Sequence, residues 1–121
     1  MIKTYARRKL GVRPAHRRMM LRQLATHLVQ HERITTTTPR AKELKAYVER
    51  MISTLKNLDN PALLARATSR WLAPNGLKAE KKFRDTVLPR YKARNGGYLR
   101  VLALPPRFCD QAKLSRIEFL S

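Results

Sequence analysis

The chain has 121 residues and a mass of 14.1 kDa, a size that fits one domain. It carries 27 Lys and Arg against 8 Asp and Glu, a formal net charge of +19, which disfavours a monomeric metabolic enzyme and calls for a polyanion to relieve the self-repulsion. An apolar fraction of 43% excludes a purely disordered basic tail, no apolar run of 18 residues offers a transmembrane helix, and the single Cys109 excludes an intramolecular disulfide or a thiolate zinc site. No apolar segment suited to a secretory signal follows the basic start.

Residues 1–13 read as an extended basic arm that orders on its partner. They are rich in Lys3, Arg7, Arg8, Lys9 and Arg13, contain no carboxylate, and have little apolar periodicity. A mitochondrial import presequence is the alternative, although such segments usually carry more Ser and Leu. Pro14 opens a predicted helix, because its missing N–H would be unpaired in a first turn. Over 15–31, Met20, Leu21, Leu24 and Leu28 form an apolar stripe, and Arg18 and Arg22 share another face one turn apart. A short β-branched strand follows at Arg33–Thr37.

Thr38-Pro39 predicts a second helix, with the Thr38 hydroxyl as its cap, running to about residue 56. Its stripe of Ala41, Leu44, Val48, Met51, Ile52 and Leu55 is the cleanest periodicity in the chain, with Arg40, Lys42, Glu43, Lys45, Glu49 and Arg50 mostly off it. Asn60-Pro61 starts a third helix by the same capping logic, ending near Ala73-Pro74-Asn75-Gly76. A fourth is predicted over 78–88, stopping at Pro89. Strands are predicted at 98–104 and 113–120, the latter with Ser115, Ile117 and Phe119 on one face and Leu114, Arg116 and Glu118 on the other. The result is an α+β class: about four helices packed on a small three-stranded sheet, with residues 14–121 forming the domain and 1–13 the arm.

Catalytic signals are weak. His27 and His31 share a helix face, but only Glu32 accompanies them and the surrounding cations would repel a metal ion. Ser53, Ser69 and Ser115 lack a nucleophile elbow, no phosphate-binding glycine motif occurs, and the carboxylates are dispersed. The expectation is a non-enzyme with no cofactor, no metal and no small-molecule substrate.

Nucleic acid is the better match. Arg outnumbers Lys 17 to 10, and a guanidinium binds phosphate bidentately and stacks on bases. In Arg90-Tyr91-Lys92-Ala93-Arg94-Asn95-Gly96-Gly97-Tyr98-Leu99-Arg100, four cations interleave with two tyrosines around a glycine turn. Such a segment can bind phosphates and stack on unpaired bases; equally, it can be a solvated loop whose tyrosines pack on the sheet. No recognition helix, finger or basic zipper points to DNA, so a structural RNA-binding component is favoured over a DNA-compacting or regulatory protein.

The run His16-Arg17-Arg18-Met19-Met20-Leu21-Arg22-Gln23-Leu24-Ala25-Thr26, followed by His31-Glu32-Arg33-Ile34-Thr35-Thr36-Thr37 and Arg40-Ala41-Lys42-Glu43-Leu44, resembles the bacterial-type large-subunit ribosomal protein seventeen family. Arg94-Asn95-Gly96-Gly97-Tyr98-Leu99-Arg100 and the closing 112–119 strand resemble the same family, in the same order, over residues 9–120. The resemblance implies a non-catalytic constituent of the large ribosomal subunit that stabilises large-subunit rRNA near the polypeptide exit tunnel, beside other ribosomal proteins. Its rRNA-contact candidates are Arg17, Arg18, Arg22, Arg33, Arg40 and Lys42 in the first block and Arg94, Tyr98 and Arg100 in the second. Charge and stacking capacity add Lys3, Tyr5, Arg7, Arg8, Lys9, Arg13, His16, Arg90 and Lys92. The opening Met1-Ile2-Lys3-Thr4-Tyr5 departs from the Met-Arg-His-Arg start of bacterial members. Arg70-Trp71-Leu72, Leu88-Pro89-Arg90-Tyr91-Lys92 and Leu104-Pro105-Pro106-Arg107 resemble mitochondrial members, so a mitochondrial ribosome is expected, with a bacterial or plastid ribosome as the alternative.

Overall fold

The computed structural model describes residues 8–74 and 76–121; Lys3, Tyr5 and Arg7 of the expected interface lie outside that range. Chain order is α1 (Pro14–His31), β1 (Arg33–Thr37), α2 (Thr38–Leu55), α3 (Pro61–Trp71), α4 (Leu77–Lys82), a π-helical turn (Phe83–Val87), α5 (Leu88–Arg90), β2 (Leu99–Leu104) and β3 (Leu114–Phe119). This is the α+β architecture expected, with the fourth helix continuing through its π turn into α5.

The three strands form one antiparallel sheet in the order β1-β3-β2. The register sets Ile34 opposite Ile117 and Val101 opposite Ile117, so the alternation of β3 decides what each face carries. Ser115, Ile117 and Phe119 are buried, as their spacing predicts. α2 packs against all three strands on that face, and α1 packs on α2 and α4.

α2 is apolar on one side because Ala41, Leu44, Val48, Met51, Ile52 and Leu55 recur at helical spacing; all six are fully buried. The α1 stripe is rotated from its expected position. Leu21 and Leu28 are buried, but Ala25 and Val29 complete the contact while Met20 and Leu24 are half-exposed. Small Ala25 lets α1 come close, a demand that apolar periodicity does not reveal.

Two helix ends differ from expectation. Thr38 does not cap α2: its hydroxyl is 2.8 Å from the Ser115 hydroxyl, and its N–H donates to the Lys113 carbonyl. Asn60 does cap α3, accepting from the Ala62 N–H at 3.0 Å. Pro89 does not stop the fourth helix. The Leu88 N–H reaches back to the Phe83 carbonyl, a five-residue step that widens the turn ahead of the ring, and Pro89 has no N–H to leave unpaired.

Candidate nucleic-acid interface

The interface is best sorted by what each cation already holds. Arg22 is an rRNA-contact candidate by sequence, but its guanidinium donates to the Leu72 carbonyl at 2.7 and 3.1 Å and to the Ser69 carbonyl at 3.0 Å. It closes the C-terminus of α3, whose last carbonyls have no helical partner, and the positive charge suits the negative helix end. Arg90 and Lys82 converge on Glu32 at 3.2 and 3.7 Å. Glu32 terminates α1 in a left-handed conformation (φ 63°), so this carboxylate ties the ends of α1, α4 and α5 together. Arg100 pairs with Glu118 across β2 and β3, and Lys92 reaches Asp59 at 3.8 Å. The arginines Arg100, Arg116 and Arg33 around Glu118 hold its carboxyl below the ordinary range, with the Arg100 hydrogen bond as the largest cause.

A second set has no carboxylate within 4 Å among the described residues: Arg13, Arg17, Arg18, Arg33, Arg40, Lys42 and Arg94. Arg13 precedes α1 as its N-cap residue and Arg17 and Arg18 occupy its first turns, with His16 exposed among them. Arg40 and Lys42 lie in the first turns of α2, exposed. Arg94 stands in the loop before β2, also exposed. No carboxylate among the described residues competes for these side chains, although Arg17 also donates to the Lys9 carbonyl.

The described part of the arm is joined to the body. The Arg8 N–H donates to Glu43 Oε1 at 3.0 Å, and its guanidinium lies 3.8 Å from the same oxygen. Glu43 was expected off the buried stripe but is itself buried, and Arg8 is what neutralises it. The chain turns at Leu10 and Gly11, both with positive φ, and the Lys9 carbonyl accepts from Arg17 Nη1 at 3.4 Å. Arg8, Lys42 and Lys113 then line an open cleft with Thr37, Thr38, Pro39 and Ala112, about 460 Å³ in volume, at the N-terminus of α2. Lys113 was missed by sequence reasoning. It precedes the last strand in an unremarkable context, and only the pairing of β1 with β3 brings it beside Lys42.

The tyrosines of the glycine loop settle an alternative left open by sequence. Tyr98 is buried, its ring 5.2 Å from that of Tyr91, so it has no face for base stacking. Its hydroxyl donates to the Arg94 carbonyl at 3.0 Å and accepts from Lys56 Nζ at 2.9 Å; that ammonium bond lowers its pKa. Tyr91 is buried against Phe119 and donates to the Leu120 carbonyl, and burial raises its pKa. Both rings therefore anchor the loop to the sheet and hold Arg94 in place from beneath. Gly96 and Gly97 supply the positive φ values of 127° and 63° that the reversal before β2 requires.

Arg116 was placed on the outward face of β3 by alternation but not weighed as a contact. It lines a shallow hollow on the sheet with Arg33, Ile34 and Thr35. Among the described residues, no three His, Cys, Asp or Glu side chains converge as metal ligands would, and no helix is long and apolar enough to cross a membrane.

Comparison with known proteins follows the same outline. The family model for ribosomal protein L17 matches residues 20–120. The chain is 40% identical over 121 residues to the large ribosomal subunit protein bL17 of Endomicrobium trichonymphae, covering 100% of both chains. It is 42% identical over 113 residues to that of Desulforudis audaxviator, covering 93% of this chain and 97% of that protein. To the large ribosomal subunit protein bL17m of Schizosaccharomyces pombe it is 40% identical over 120 residues, 99% of this chain and 58% of that protein.

Proposed function

The chain belongs to the ribosomal protein L17 family, and from that membership we propose that it is a structural constituent of the large ribosomal subunit that binds and stabilises large-subunit rRNA. The observation that carries the rRNA part is the division among the cations. Carboxylates hold Arg8, Lys82, Arg90, Lys92, Arg100 and Arg107, whereas Arg13, Arg17, Arg18, Arg33, Arg40, Lys42 and Arg94 face outward with none within 4 Å among the described residues. A folded RNA supplies phosphates in number, and each outward cation that meets one releases a counterion.

Mechanistically, the body is a rigid support. α2 and the sheet fix the ends of α1, the first turns of α2 and the glycine loop, so the outward arginines are presented without further ordering. The cleft of Arg8, Lys42 and Lys113 suits a backbone phosphate, while Arg94 suits a strand passing the glycine loop. Lys3, Tyr5 and Arg7 are further rRNA-contact candidates in this reading, on charge and stacking capacity alone. The position near the exit tunnel is what the family resemblance implies. The mitochondrial compartment is carried by Arg70-Trp71-Leu72 and Leu88-Pro89-Arg90-Tyr91-Lys92, and the structure gives these residues internal duties: the Trp71 carbonyl accepts from the Tyr47 hydroxyl, and Arg90 holds Glu32.

Sedimentation of cell and organelle extracts, with antibody detection, tests the reading. Comigration with the large subunit of the mitochondrial ribosome is the expected result. Comigration with chromatin, or recovery only as free protein, overturns it.

A further inference from the structure

Glu43 is a buried acid beside a cleft of cations. Apolar spacing puts it off the buried stripe of α2, yet it is only 8% exposed. Successive helix residues point about 100° apart. Lys42 is exposed and lines the cleft with Arg8 and Lys113, whereas Glu43 is buried and does not line it. Losing this carboxylate would raise the formal net charge of +19 by one. Charge alone therefore casts Glu43 as a defect in an RNA-binding surface. Its hydrogen bonding gives it another role.

Glu43 Oε1 accepts from the Arg8 backbone N–H at 3.0 Å, while the Arg8 guanidinium lies 3.8 Å from the same oxygen, beyond hydrogen-bond distance. The carboxylate thus fixes residue 8 through its main chain and consumes none of the five guanidinium donors. The Arg8 side chain is half-exposed and reaches the cleft. The chain then reverses at Leu10 (φ 59°) and Gly11 (φ 68°). A leucine in the left-handed region is costly and persists only where neighbouring contacts hold the turn. The Val12 N–H closes that turn onto the Lys9 carbonyl at 3.4 Å, and Glu43 fixes the segment that enters it.

We propose that Glu43 is a positioning residue for anion binding: its buried carboxylate holds the Arg8 main chain beside α2, so that the Arg8 guanidinium meets a backbone phosphate together with Lys42 and Lys113. The inference rests on the rRNA-binding reading and names a residue whose charge has the wrong sign for direct contact. Two effects of opposite sign meet here. Repulsion between Glu43 and a bound phosphate is offset by Arg8, which stands against the carboxylate. Without the tether, the segment around Arg8 is ordered only on binding, and that ordering is subtracted from affinity.

The test compares Glu43→Met with the parent, as full chains, on a transcript of large-subunit rRNA. Methionine matches glutamate in length and suits a buried helix position, so melting should stay cooperative. Affinity should nevertheless fall about fivefold, although a negative charge is gone. Arg8→Met should weaken the parent about tenfold and lower its salt slope by about one. In the Glu43→Met background the same change should move affinity by less than about twofold. Glu43→Gln keeps an acceptor for the Arg8 N–H and should fall between the parent and Glu43→Met; if Glu43→Met does not fold, Glu43→Gln carries the same cycle. Unchanged or tighter RNA binding by a folded Glu43 variant overturns the proposal. So does an Arg8→Met effect that is absent from the parent or equal in both backgrounds. A parent chain whose affinity does not respond to salt overturns the rRNA reading and this proposal with it.

Discussion

Arg18 and Arg22 lie one helical turn apart on α1, yet their guanidinium groups end in different surroundings. Arg22 is half-buried and donates to the Leu72 and Ser69 carbonyls, closing α3 from a distance of about 50 residues in sequence. Arg18 is exposed and has no carboxylate within 4 Å among the described residues. Arg22→Met should therefore lower stability by about 1.5–3 kcal/mol, because charge-assisted bonds are lost and carbonyls are left unpaired. Arg18→Met should leave melting within about 0.5 kcal/mol and reduce the salt slope of RNA binding by about one. Calorimetry and a salt titration on both variants check the pair; equal effects on melting would show that the two arginines are interchangeable. Tyr47 gives a second residue-scale expectation. Burial pushes its hydroxyl up to about 12, with the nearby Arg22 charge opposing, and the hydroxyl donates to the Trp71 carbonyl at 2.6 Å. The folded state then keeps a proton that the unfolded chain loses near its ordinary value of about 10. Stability is full below that value and falls as pH rises towards about 12. Tyr47→Phe should be less stable than the parent at neutral pH by about 1 kcal/mol, and the gap should close over that window in pH-dependent melting.

At the scale of elements, α2 organises the molecule. Val48 sits at the centre of its buried face and is fully buried. Val48→Asp should cost several kcal/mol, enough to unfold a domain whose total stability is about 5–15 kcal/mol. Leu44→Ala, which leaves a cavity rather than a charge, should cost about 2–5 kcal/mol and still melt cooperatively. Circular dichroism melts of the two variants check this; a folded Val48→Asp protein would mean that α2 presents another face to the sheet. That buried stripe was legible in the sequence, as were the Asn60 cap and the inward set Ser115, Ile117 and Phe119, because each depends on local spacing alone. What escaped depends on partners far along the chain. The Thr38 hydroxyl bonds Ser115 instead of capping its own helix, Glu43 is buried because Arg8 neutralises it, and Tyr98 turns inward because Lys56 and the Arg94 carbonyl satisfy its hydroxyl. The candidate interface shows the same division. Charge nominates its candidate members, but charge alone could not separate Arg22, Arg90 and Arg100, which hold the fold together, from Arg18, Arg40 and Arg94, which face outward.

At the scale of the whole molecule the net charge of +19 dominates, and under the proposed function it should act in opposite senses on the free protein and on the protein bound to RNA. In the free chain, like charges oppose compaction, and salt screens them over a distance of about 10 Å at 0.1 M. Raising salt from low to moderate concentration should therefore raise the melting temperature of the protein alone. In the complex, salt competes with the release of counterions from RNA. If the cations Arg13, Arg17, Arg18, Arg33, Arg40, Lys42 and Arg94 each meet a phosphate, log affinity should fall against log salt with a slope of about −5 to −6. Between 50 and 200 mM salt that is a loss of roughly a thousandfold or more in affinity. RNA added at low salt should raise the melting temperature, because a ligand that binds only the folded state stabilises it by mass action, and this gain should shrink as salt rises. The two melting curves, with and without RNA, should then converge from opposite directions. Scanning calorimetry across a salt series, with a structured RNA of neutral sequence content as probe, measures both. A salt slope near zero, or RNA that leaves the melting temperature unmoved at low salt, would show that the outward arginines are a solvated surface and not a phosphate-binding one.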